Sequence, residues 1–486
     1  MKQKINIVWF KRDLRLKDHE ALQKAIAEGL PILLCYIFEP SLIQYPKNDV
    51  RHWRFVWQSL EDLQAQLAPA GVQIFYEEAL TVFEKLTATY EVKNVFSHQE
   101  TGNLPTFERD KCIGQFLQKK GIVWQEFIQD GVTRGMKNRF GWQEKVDGFM
   151  NSSVVQINVD KLITLCTTPE ISLLDNLVPI PSTFKEKPTA FQIGGEQMAW
   201  RYWRSFKDIR YPNYMKHISK PALSRKSCSR MSPYLAYGNV SVRQLYQETQ
   251  ELLSKTNKSF PLKNFQSRLW WRGHFTQKFE SDYEMEFKPC NRGFVGMKTE
   301  QNESYFTAWE TGNTGYPMVD ACMRCLEATG YVNFRMRAML TCFAQFTLWL
   351  NYKAVAKRLA NVFLDYDPGI HYPQLQMQGG LTGYSTLRIY SPTVQSQKND
   401  TDGVFVKKWV PELANVPTAL LYEPWKMTAL DQAFYHCEIG RDYPAPIVHF
   451  ETATKKNKDY YWEWRQSKVV QDKIPEVLKR FCVPTD

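Results

Sequence analysis

Long hydrophobic runs are absent from this 486-residue sequence, and their absence excludes one class of protein. A membrane-spanning helix needs about 20 consecutive apolar residues, and no run reaches that length. The N-terminal segment MKQKINIVWF has no signal-peptide core and leads directly into a strand pattern. We therefore expect a cytoplasmic protein without a membrane partner.

Paired metal-ligand motifs are also missing. The ten cysteines are scattered, and only Cys322 and Cys325 form a C-x-x-C, with no second pair and no histidine pair to complete a zinc site. The surrounding residues read as a helix, which predicts that both thiols lie on one buried face. The pattern predicts no metal and is typical of a reducing compartment.

Acidic residues are outnumbered by basic ones, which gives a net charge of +11 and a pI of about 9.0. A basic excess favours polyanionic partners, with nucleic acid first and an anionic membrane surface second. The alternative is an ordinary basic protein without such a partner. Aromatic residues make up 14% of the chain, which suits thick helical cores or sites that stack flat rings. The length allows two or three domains.

The first part of the chain alternates strand and helix patterns, which predicts an α/β domain with a parallel five-stranded sheet. Asp18 is a candidate N-cap for the first helix, and Gly29, Gly71 and Gly121 lie where helices should end. No G-x-G-x-x-G is present, so the sequence does not support a dinucleotide-type phosphate site. The five predicted strands are residues 5–10, 31–38, 72–78, 94–99 and 122–128.

The composition changes near residue 150. A stretch rich in Pro, Thr and Ser predicts a long linker, and amphipathic helical patterns dominate the chain from about residue 196 onward. The predicted domains are therefore residues 1–135, a linker over 136–195, and an all-α domain over 196–486.

One segment, DYDPGIHYPQLQMQGG from Asp365 to Gly380, concentrates polar chemistry. Asp365 and Asp367 are two residues apart, and a lone histidine, His371, follows a Pro-Gly pair. By itself the segment reads either as a turn that enters an edge strand or as part of a site. The residues alone leave both readings open.

Several long motifs resemble the photolyase/cryptochrome family, in family order and at family spacing. VWFKRDLRLKDHEAL (8–22) resembles its first strand, turn and helix. SRMSPYLAYGNVSVRQLY (229–246) resembles its flavin phosphate segment, and AWETGNTGYPMVDACMRCLEATGYVNFRMR (308–337) its signature around the flavin. GVFVKKWVPELANVP (403–417) and DYPAPIV (442–448) match its C-terminal helices. The resemblance covers nearly the whole chain.

The resemblance implies FAD bound in the helical domain. Arg337 and Asp365 match a charged pair beside the flavin ring, Asp367 an acid near the ring or ribose, and His371 the position facing the flavin N5. Cys228 stands where threonine is usual in the phosphate loop. The implied FAD-binding residues are Tyr214, Cys228, Ser229, Arg230, Met231, Ser232, Phe265, Arg272, Arg335, Arg337, Asp365, Asp367 and His371.

The resemblance also implies that the segment FQSRLWWRGHF (265–275) faces damaged or single-stranded DNA. Trp271 matches the tryptophan on which a flipped base stacks, and Arg272 the arginine beside it. Phe334 and Gln395 are further implied DNA contacts. The implied catalytic residues are His371, Trp271 and Arg268.

The sequence departs from the family pattern at several positions. Arg268 stands where pyrimidine-dimer photolyases carry a carboxylate, and the two histidines of eukaryotic (6-4) photolyases are missing after ATGY. Leu375 replaces the tryptophan nearest the flavin in the electron-transfer chain. The implied electron-transfer residues are Trp309, Tyr352, Tyr372, Tyr384 and Trp349, and this set predicts slow or unusual photoreduction of the flavin.

Two functions follow as expectations from the resemblance. The first is blue-light-driven repair of pyrimidine lesions in DNA by electron transfer from reduced FAD, by a monomer. The second is a cryptochrome-type photoreceptor without repair activity, which Arg268 and the altered flavin surroundings favour. A light-independent flavoenzyme has no specific support. Photolyases often hold an antenna chromophore in the first domain, so the resemblance also implies a second chromophore here, whose identity the sequence does not indicate.

Overall fold

The computed structural model describes residues 2–168 and 179–483. Five parallel strands form one sheet in the order β3-β2-β1-β4-β5. All five predicted strands are confirmed, and none of their ends is shifted by more than three residues. Their bounds are β1 Lys4–Phe10, β2 Ile32–Phe38, β3 Gln73–Tyr76, β4 Glu91–His98 and β5 Val123–Phe127.

The central strands are apolar along nearly their whole length because both faces of the sheet are covered. Six of the seven residues of β1 are buried, and so are all seven of β2. A strand that is covered on both sides by βαβ crossovers has no solvent face that would demand polar residues. Ile5, Trp9 and Cys35 pack with Phe83 and Ile113 in the core below the sheet.

The chain forms two compact units. The first unit comprises Met1–Asp208, Arg230–Tyr283 and Leu364–Ile370, and the second comprises Ile209–Ser229, Glu284–Phe363 and His371–Asp486. The predicted domain boundaries at 135 and 195 stay a prediction. The segment predicted as a linker contains two helices, Trp142–Asn151 and Val159–Leu165, and its residues 169–178 lie outside the described residues.

The helices of the first unit surround the sheet or follow it in sequence. They are Glu20–Glu28, Pro40–Ile43, Val50–Leu67, Ala79–Thr89, Leu104–Lys119, Trp142–Asn151, Val159–Leu165, Glu196–Ser205, Ser232–Ala236, Val242–Lys255 and Ser259–Ser281.

The second unit is helical, as the sequence predicts, apart from isolated bridges in the described residues. Its helices are Tyr214–His217, Pro221–Ser227, Glu303–Thr311, Pro317–Thr329, Phe334–Cys342, Tyr352–Val362, Pro392–Asn399, Val404–Trp409, Thr418–Leu421, Ala429–Tyr435, Phe450–Gln466, Lys468–Gln471 and Ile474–Phe481. The segment 442–448, expected to be helical, is not, and its two prolines disfavour a helix there.

Two local expectations are wrong. Asp18 does not cap the first helix: the N-cap is His19, whose ring nitrogen Nδ1 accepts from the backbone N–H of Leu22. Asp18 instead binds the side chain of Arg243 and the backbone N–H of Val155. The edge-strand reading of the Asp365–Gly380 segment is also wrong, because Pro368–Gln378 is a helix.

Gly29 ends the first helix in the left-handed conformation at φ +68°, as expected. Gly121, at φ +71°, lies two residues beyond the last residue of the helix that it was expected to end, and Gly71 lies four residues beyond its helix.

Cys322 and Cys325 are both fully buried free thiols on the helix Pro317–Thr329, which confirms their predicted shared burial. Among the described residues, no helix combines the length and the apolar character needed to span a membrane.

A buried Asp–His–His cluster joins β1, the first helix and β4. Oδ2 of Asp13 lies 2.8 Å from Nδ1 of His98 and 3.1 Å from Nε2 of His19. All three side chains are almost completely buried. They are the one group in the described chain whose ligand atoms converge closely enough to suggest a metal site.

The hydrogen bonds at this cluster argue for a proton rather than a metal between these groups. Nδ1 of His19 accepts from the backbone N–H of Leu22 at 3.2 Å, so the neutral ring carries its proton on Nε2, the nitrogen that faces Asp13. A metal at Nε2 would require that proton to leave. Burial lowers the pKa of His98 to about 4, with the neighbouring His19 acting in the same direction. Burial also lowers the pKa of His19.

We predict that this cluster makes the protein less stable as the pH falls from about 6.5 to about 4. In that window the unfolded chain protonates His98 and the folded protein does not, because its folded pKa is lowered. The lowering of the His98 pKa from 6.5 to about 4 corresponds to a loss of roughly 3 kcal/mol in the free energy of unfolding once the pH has fallen to about 4. Urea unfolding at pH 7, 6, 5 and 4.5 measures the slope. His98→Asn, which still donates to Asp13, should flatten it.

The exposed His449 provides the control, since His449→Asn should leave the slope unchanged. An unaltered slope in His98→Asn would show that acid sensitivity arises elsewhere.

Candidate functional site

The centre of the candidate site in the first unit is a buried arginine between two carboxylates. Arg272 lies on the helix Ser259–Ser281, and its Nη2 is 2.8 Å from Oδ2 of Asp130 and 2.7 Å from Oδ2 of Asp367. The same nitrogen donates to the carbonyl of Leu235 at 3.1 Å. Burial alone would lower the pKa of Arg272, but Asp130 and Asp367 outweigh it and raise the pKa. The guanidinium is therefore a permanent charge.

Asp367 is positioned by its own loop as well as by Arg272. Its Oδ1 accepts from the backbone N–H of Gly369 at 3.0 Å, so both carboxylate oxygens are engaged. A Cβ at Gly369 would lie 2.8 Å from Cγ2 of Thr276, which is why a residue without a side chain is needed at this close approach.

The other face of the same helix presents an aromatic surface. Trp271 is 48% exposed and stacks on Phe275 at 5.6 Å between ring centroids. His274 meets the Trp271 ring edge-on at 5.5 Å. Burial, with Arg139 and Lys278 nearby, lowers the pKa of His274 to about 3, so this imidazole is neutral at physiological pH. Arg268, one turn earlier, is exposed.

The predicted phosphate loop changes the sign of its backbone φ within two residues. Arg230 has φ +61° and Met231 has φ −83°. Such alternation turns successive backbone N–H groups toward one side and makes an anion-binding concavity. Arg230 is held by Gln192, which accepts from its Nη2 at 2.7 Å and donates to its carbonyl at 2.8 Å. Ser232 then starts the single-turn helix Ser232–Ala236.

Phe265, expected near the adenine, is buried in the first unit. Its ring lies 5.3 Å from Trp203 and 5.1 Å from Phe206.

In the second unit, Arg337 is fixed by its surroundings. Its Nε donates to the carbonyl of Val332 at 2.9 Å, and its guanidinium lies 4.2 Å over the ring of Phe363. Asp365 belongs to the first unit, so the predicted Arg337–Asp365 pair stays a prediction. Arg335 lies 5.1 Å over the ring of Tyr390.

Tyr214, Cys228 and Ser229 also lie in the second unit. Tyr214 is buried, and Arg210 donates to the carbonyls of Cys228 and Ser229, which shapes the end of the predicted phosphate loop.

His371 is buried, with Nε2 2.9 Å from the carbonyl of Ala356. A carbonyl can only accept, so Nε2 carries the proton and Nδ1 is the acceptor in the neutral ring. Only Nδ1 therefore fits the predicted role of an acceptor toward the flavin.

The predicted electron-transfer residues of the second unit are mostly buried. Trp309 and Tyr372 are fully buried, and Tyr352 donates to the carbonyl of Met285 at 3.2 Å. Burial raises the pKa of both Tyr352 and Tyr384, which disfavours loss of the phenol proton. Complete burial gives Trp309 no direct contact with a dissolved electron donor.

The two further predicted DNA contacts differ in exposure. Phe334 is 48% exposed at the start of its helix. Gln395 is half-buried and accepts from Asn399 at 3.2 Å.

Sequence reasoning missed Asp130, the second partner of Arg272. It lies in a turn after β5 at φ +58°, a conformation that aspartate tolerates better than most residues. The Asp-Gly pair at 130–131 indicated a turn, but nothing in it indicated an ion pair across 142 residues.

Sequence reasoning also missed the residues of a cleft at the carboxyl ends of β1, β2 and β4. Arg12, Glu39 and Glu100 follow these strands and line the cleft with Trp9 and Tyr237. In a doubly wound sheet this edge, where the strand order reverses, is the usual ligand position. The enclosed part measures about 60 Å³.

Ion pairs fill much of that edge. Arg109 contacts Glu39 at 2.9 Å and Glu100 at 2.6 Å, and its guanidinium lies 4.8 Å over the Trp9 ring. Burial would raise the pKa of Asp110, but Arg109 and Lys11 lower it to about 2.

Two family models match this chain. One, described as DNA photolyase, matches residues 6–134, and the other, described as the FAD binding domain of DNA photolyase, matches residues 265–463. The chain belongs to the photolyase/cryptochrome family. The predicted family and the predicted fold class are thus confirmed.

Members of both branches of this family are similar to the chain. It is 25% identical to the deoxyribodipyrimidine photo-lyase of Alkalihalophilus pseudofirmus, over 94% of this chain and 98% of the relative. It is 26% identical to the cryptochrome DASH of Synechocystis sp., over 93% of this chain and 96% of the relative.

Two solved structures share the photolyase fold. A bacterial class III photolyase from Agrobacterium tumefaciens matches with a TM-score of 0.83 at 24% identity, over 96% of this chain and 99% of that chain. An archaeal photolyase from Sulfolobus tokodaii, solved with two FAD molecules, matches with a TM-score of 0.75 at 24% identity, over 94% and 100%.

We predict that Arg272→Met lowers the free energy of unfolding by about 3–5 kcal/mol, because it leaves two buried carboxylates without their shared cation. Arg268→Met, on the same helix but exposed, is the matched control and should change stability by less than about 0.5 kcal/mol. Chemical denaturation measures both. The triple variant with Asp130→Asn and Asp367→Asn added should recover part of the loss. Equal stability of the two single variants would contradict a structural role for this cation.

Proposed function

We propose that this protein repairs UV-induced pyrimidine lesions in DNA with blue light and FAD, by passing an electron to a lesion flipped out of the duplex. The observation that carries the proposal is the exposed Trp271, stacked on Phe275 and adjacent in sequence to the buried Arg272–Asp367 pair. It combines an open aromatic face for a base with a fixed charged support behind it.

The residues present fit FAD. The sign change of φ at Arg230 and Met231 suits a pyrophosphate, and the buried, permanently charged Arg272 beside Asp367 suits the polar part of the cofactor. Arg337, Asp365 and His371 would hold the flavin ring, and Phe265 would contact the adenine. Reduced FAD, when bound, would supply the electron that light promotes.

Trp271 would bind the extruded base and offset the cost of unstacking it. Stacking of a base on an aromatic side chain contributes about 1–3 kcal/mol. The net charge of +11 would attract the DNA backbone, and the exposed Arg268 would contact a phosphate or an anionic lesion. An arginine cannot donate a proton as a carboxylic acid would, so Arg268 would stabilise the lesion through its positive charge alone.

The second candidate is a cryptochrome-type photoreceptor without repair activity. Arg268 and the altered flavin surroundings favour it, because an arginine replaces the carboxylate that binds the lesion in pyrimidine-dimer photolyases. Under either function we propose a monomer without a resident metal.

Irradiation of the FAD-loaded, reduced protein with defined lesions in single- and double-stranded DNA tests the proposal. We predict that Trp271→Ala weakens binding to lesion DNA by about 5- to 150-fold relative to undamaged DNA, the equivalent of about 1–3 kcal/mol. Phe260→Ala is the control, because Phe260 is also exposed on this helix.

Restored bases after illumination would support repair. Light-induced change of the protein without restoration of any lesion, in either form of DNA, would favour the photoreceptor instead. Equal binding by the tryptophan and phenylalanine variants would show that Trp271 does not contact the base.

We further propose that the cleft beside Trp9 holds a second, light-harvesting chromophore. Its position at the carboxyl edge of the sheet and its aromatic walls support this, as does the second FAD of the archaeal relative. The enclosed volume of about 60 Å³ is smaller than the roughly 150 Å³ that admits benzene, so a ring system requires side chains at the cleft, such as Arg109, to move.

Filling the cleft tests this placement. We predict that Thr106→Trp removes the absorption of the second chromophore and leaves one FAD per chain, since Thr106 lines this cleft. Absorption spectra and chromophore extraction measure both. A second chromophore retained in this variant would place the antenna elsewhere.

A further inference from the structure

The second unit contains a cavity of about 130 Å³ that none of the proposed cofactor or DNA residues requires. Its walls carry five aromatic rings, from Phe287, Phe294, Phe346, Trp349 and Tyr352. A cavity of this size is close to the roughly 150 Å³ that holds one benzene ring. One six-membered aromatic ring therefore fits the enclosed part.

A buried amide lines this cavity. Gln345 is only 6% exposed, and its Nε2 has no hydrogen-bond partner among the described residues. Burying a polar group without a partner costs stability, and proteins rarely retain such groups without a reason. The glutamine side chain has an NH2 donor next to a C=O acceptor. It therefore complements a ligand edge that presents an acceptor to the NH2 group and a donor to the C=O group.

Gly379 makes room for that amide. A Cβ at this position would lie 2.0 Å from Oε1 of Gln345, so any side chain there would displace the amide. The glycine and the glutamine together define the polar end of the cavity.

Two uncommon backbone conformations adjoin the same wall. Gln345 and Phe346 lie in the π-helical turn Phe343–Thr347, and Trp349 has φ +56° although it is not glycine. Both features are costly, and both occur preferentially at functional sites. Their coincidence with an unpartnered buried amide points to a ligand.

The rim is basic. Lys288 lies 3.1 Å from Glu284, a carboxylate that it shares with Arg292. Lys353 is exposed and has no ion pair within the described part of the chain, so it is the cation available to an anion at the rim.

We propose that this cavity binds a small molecule with a six-membered heteroaromatic ring and a phosphate group. The ring edge presents a donor and an acceptor to Gln345, the ring packs among the aromatic walls, and the phosphate lies beside Lys353. Uracil-type and nicotinamide-type rings share this chemistry. The proposal is independent of the proposed repair function, because it uses neither the flavin contacts nor the lesion contacts. Two of the cavity walls, Trp349 and Tyr352, also belong to the predicted electron-transfer residues.

Calorimetric titration of the FAD-loaded protein with uridine 5′-monophosphate and with nicotinamide mononucleotide tests the proposal and separates the two ring types. We expect at least one to bind in the micromolar to low millimolar range. Gln345→Leu should weaken that binding by at least tenfold, and Gly379→Ala should weaken it similarly by displacing the amide.

Lys353→Gln should weaken binding of the phosphorylated ligand and leave binding of the corresponding nucleoside unchanged. Lys456→Gln, an exposed lysine on the helix Phe450–Gln466, is the charge-matched control and should have no effect. Trp271→Ala should also leave binding unchanged, which distinguishes this cavity from the proposed lesion site.

Gln345→Leu should keep its FAD and unfold at the same or a higher temperature, because it removes an unpartnered polar group. That result separates loss of binding from loss of folding. Absence of binding for both ligands at 10 mM, or binding that Gln345→Leu leaves intact, would overturn the proposal.

Discussion

The ion pairs of Arg272 with Asp130 and Asp367 are the interaction on which the candidate site depends. They join three segments of the first unit: the turn after β5, the helix Ser259–Ser281 and the segment 364–370. Since the arginine is buried and its charge is permanent, loss of both carboxylates would leave an unpaired ion in a poorly solvated interior. The pairs therefore hold in place the helix that presents Trp271.

Much of the first unit could be predicted because its strands are buried on both faces. When helix patterns flank an unbroken apolar run such as that of β2, few structures other than a buried strand are compatible with it. It was harder to predict which of two neighbouring residues would take a local role, and which of two local structures a segment would adopt. Asp18 and His19 are both able to cap a helix. His19 is the N-cap in the structure, because Asp18 accepts a hydrogen bond from Arg243, a residue 225 positions away in the sequence. Pro368–Gln378 carries a proline inside the helix, at Pro373, together with alternating glutamines, so its sequence pattern did not distinguish helix from strand.

The candidate site was predictable only as far as its motifs extend. Family motifs identified Arg272 and Asp367, but Asp130 lies outside those motifs and its role depends on the fold. The cavity lined by Gln345 and Gly379 could not be predicted from motifs either, because these two residues meet only through the packing of segments that are distant in sequence. His371 shows a third case: its position could be predicted, but which ring nitrogen is the acceptor follows only from the carbonyl of Ala356.

The distribution of charge links these features to the proposed DNA partner. At the carboxyl edge of the sheet, Lys11, Arg12, Arg109 and Arg134 face five carboxylates, those of Glu39, Glu100, Asp110, Glu126 and Glu280. Arg272 likewise faces two. These clusters are neutral or slightly negative, so the excess of +11 does not reside in them. It resides on the remaining, mostly exposed residues such as Arg268, where a polyanion can reach it.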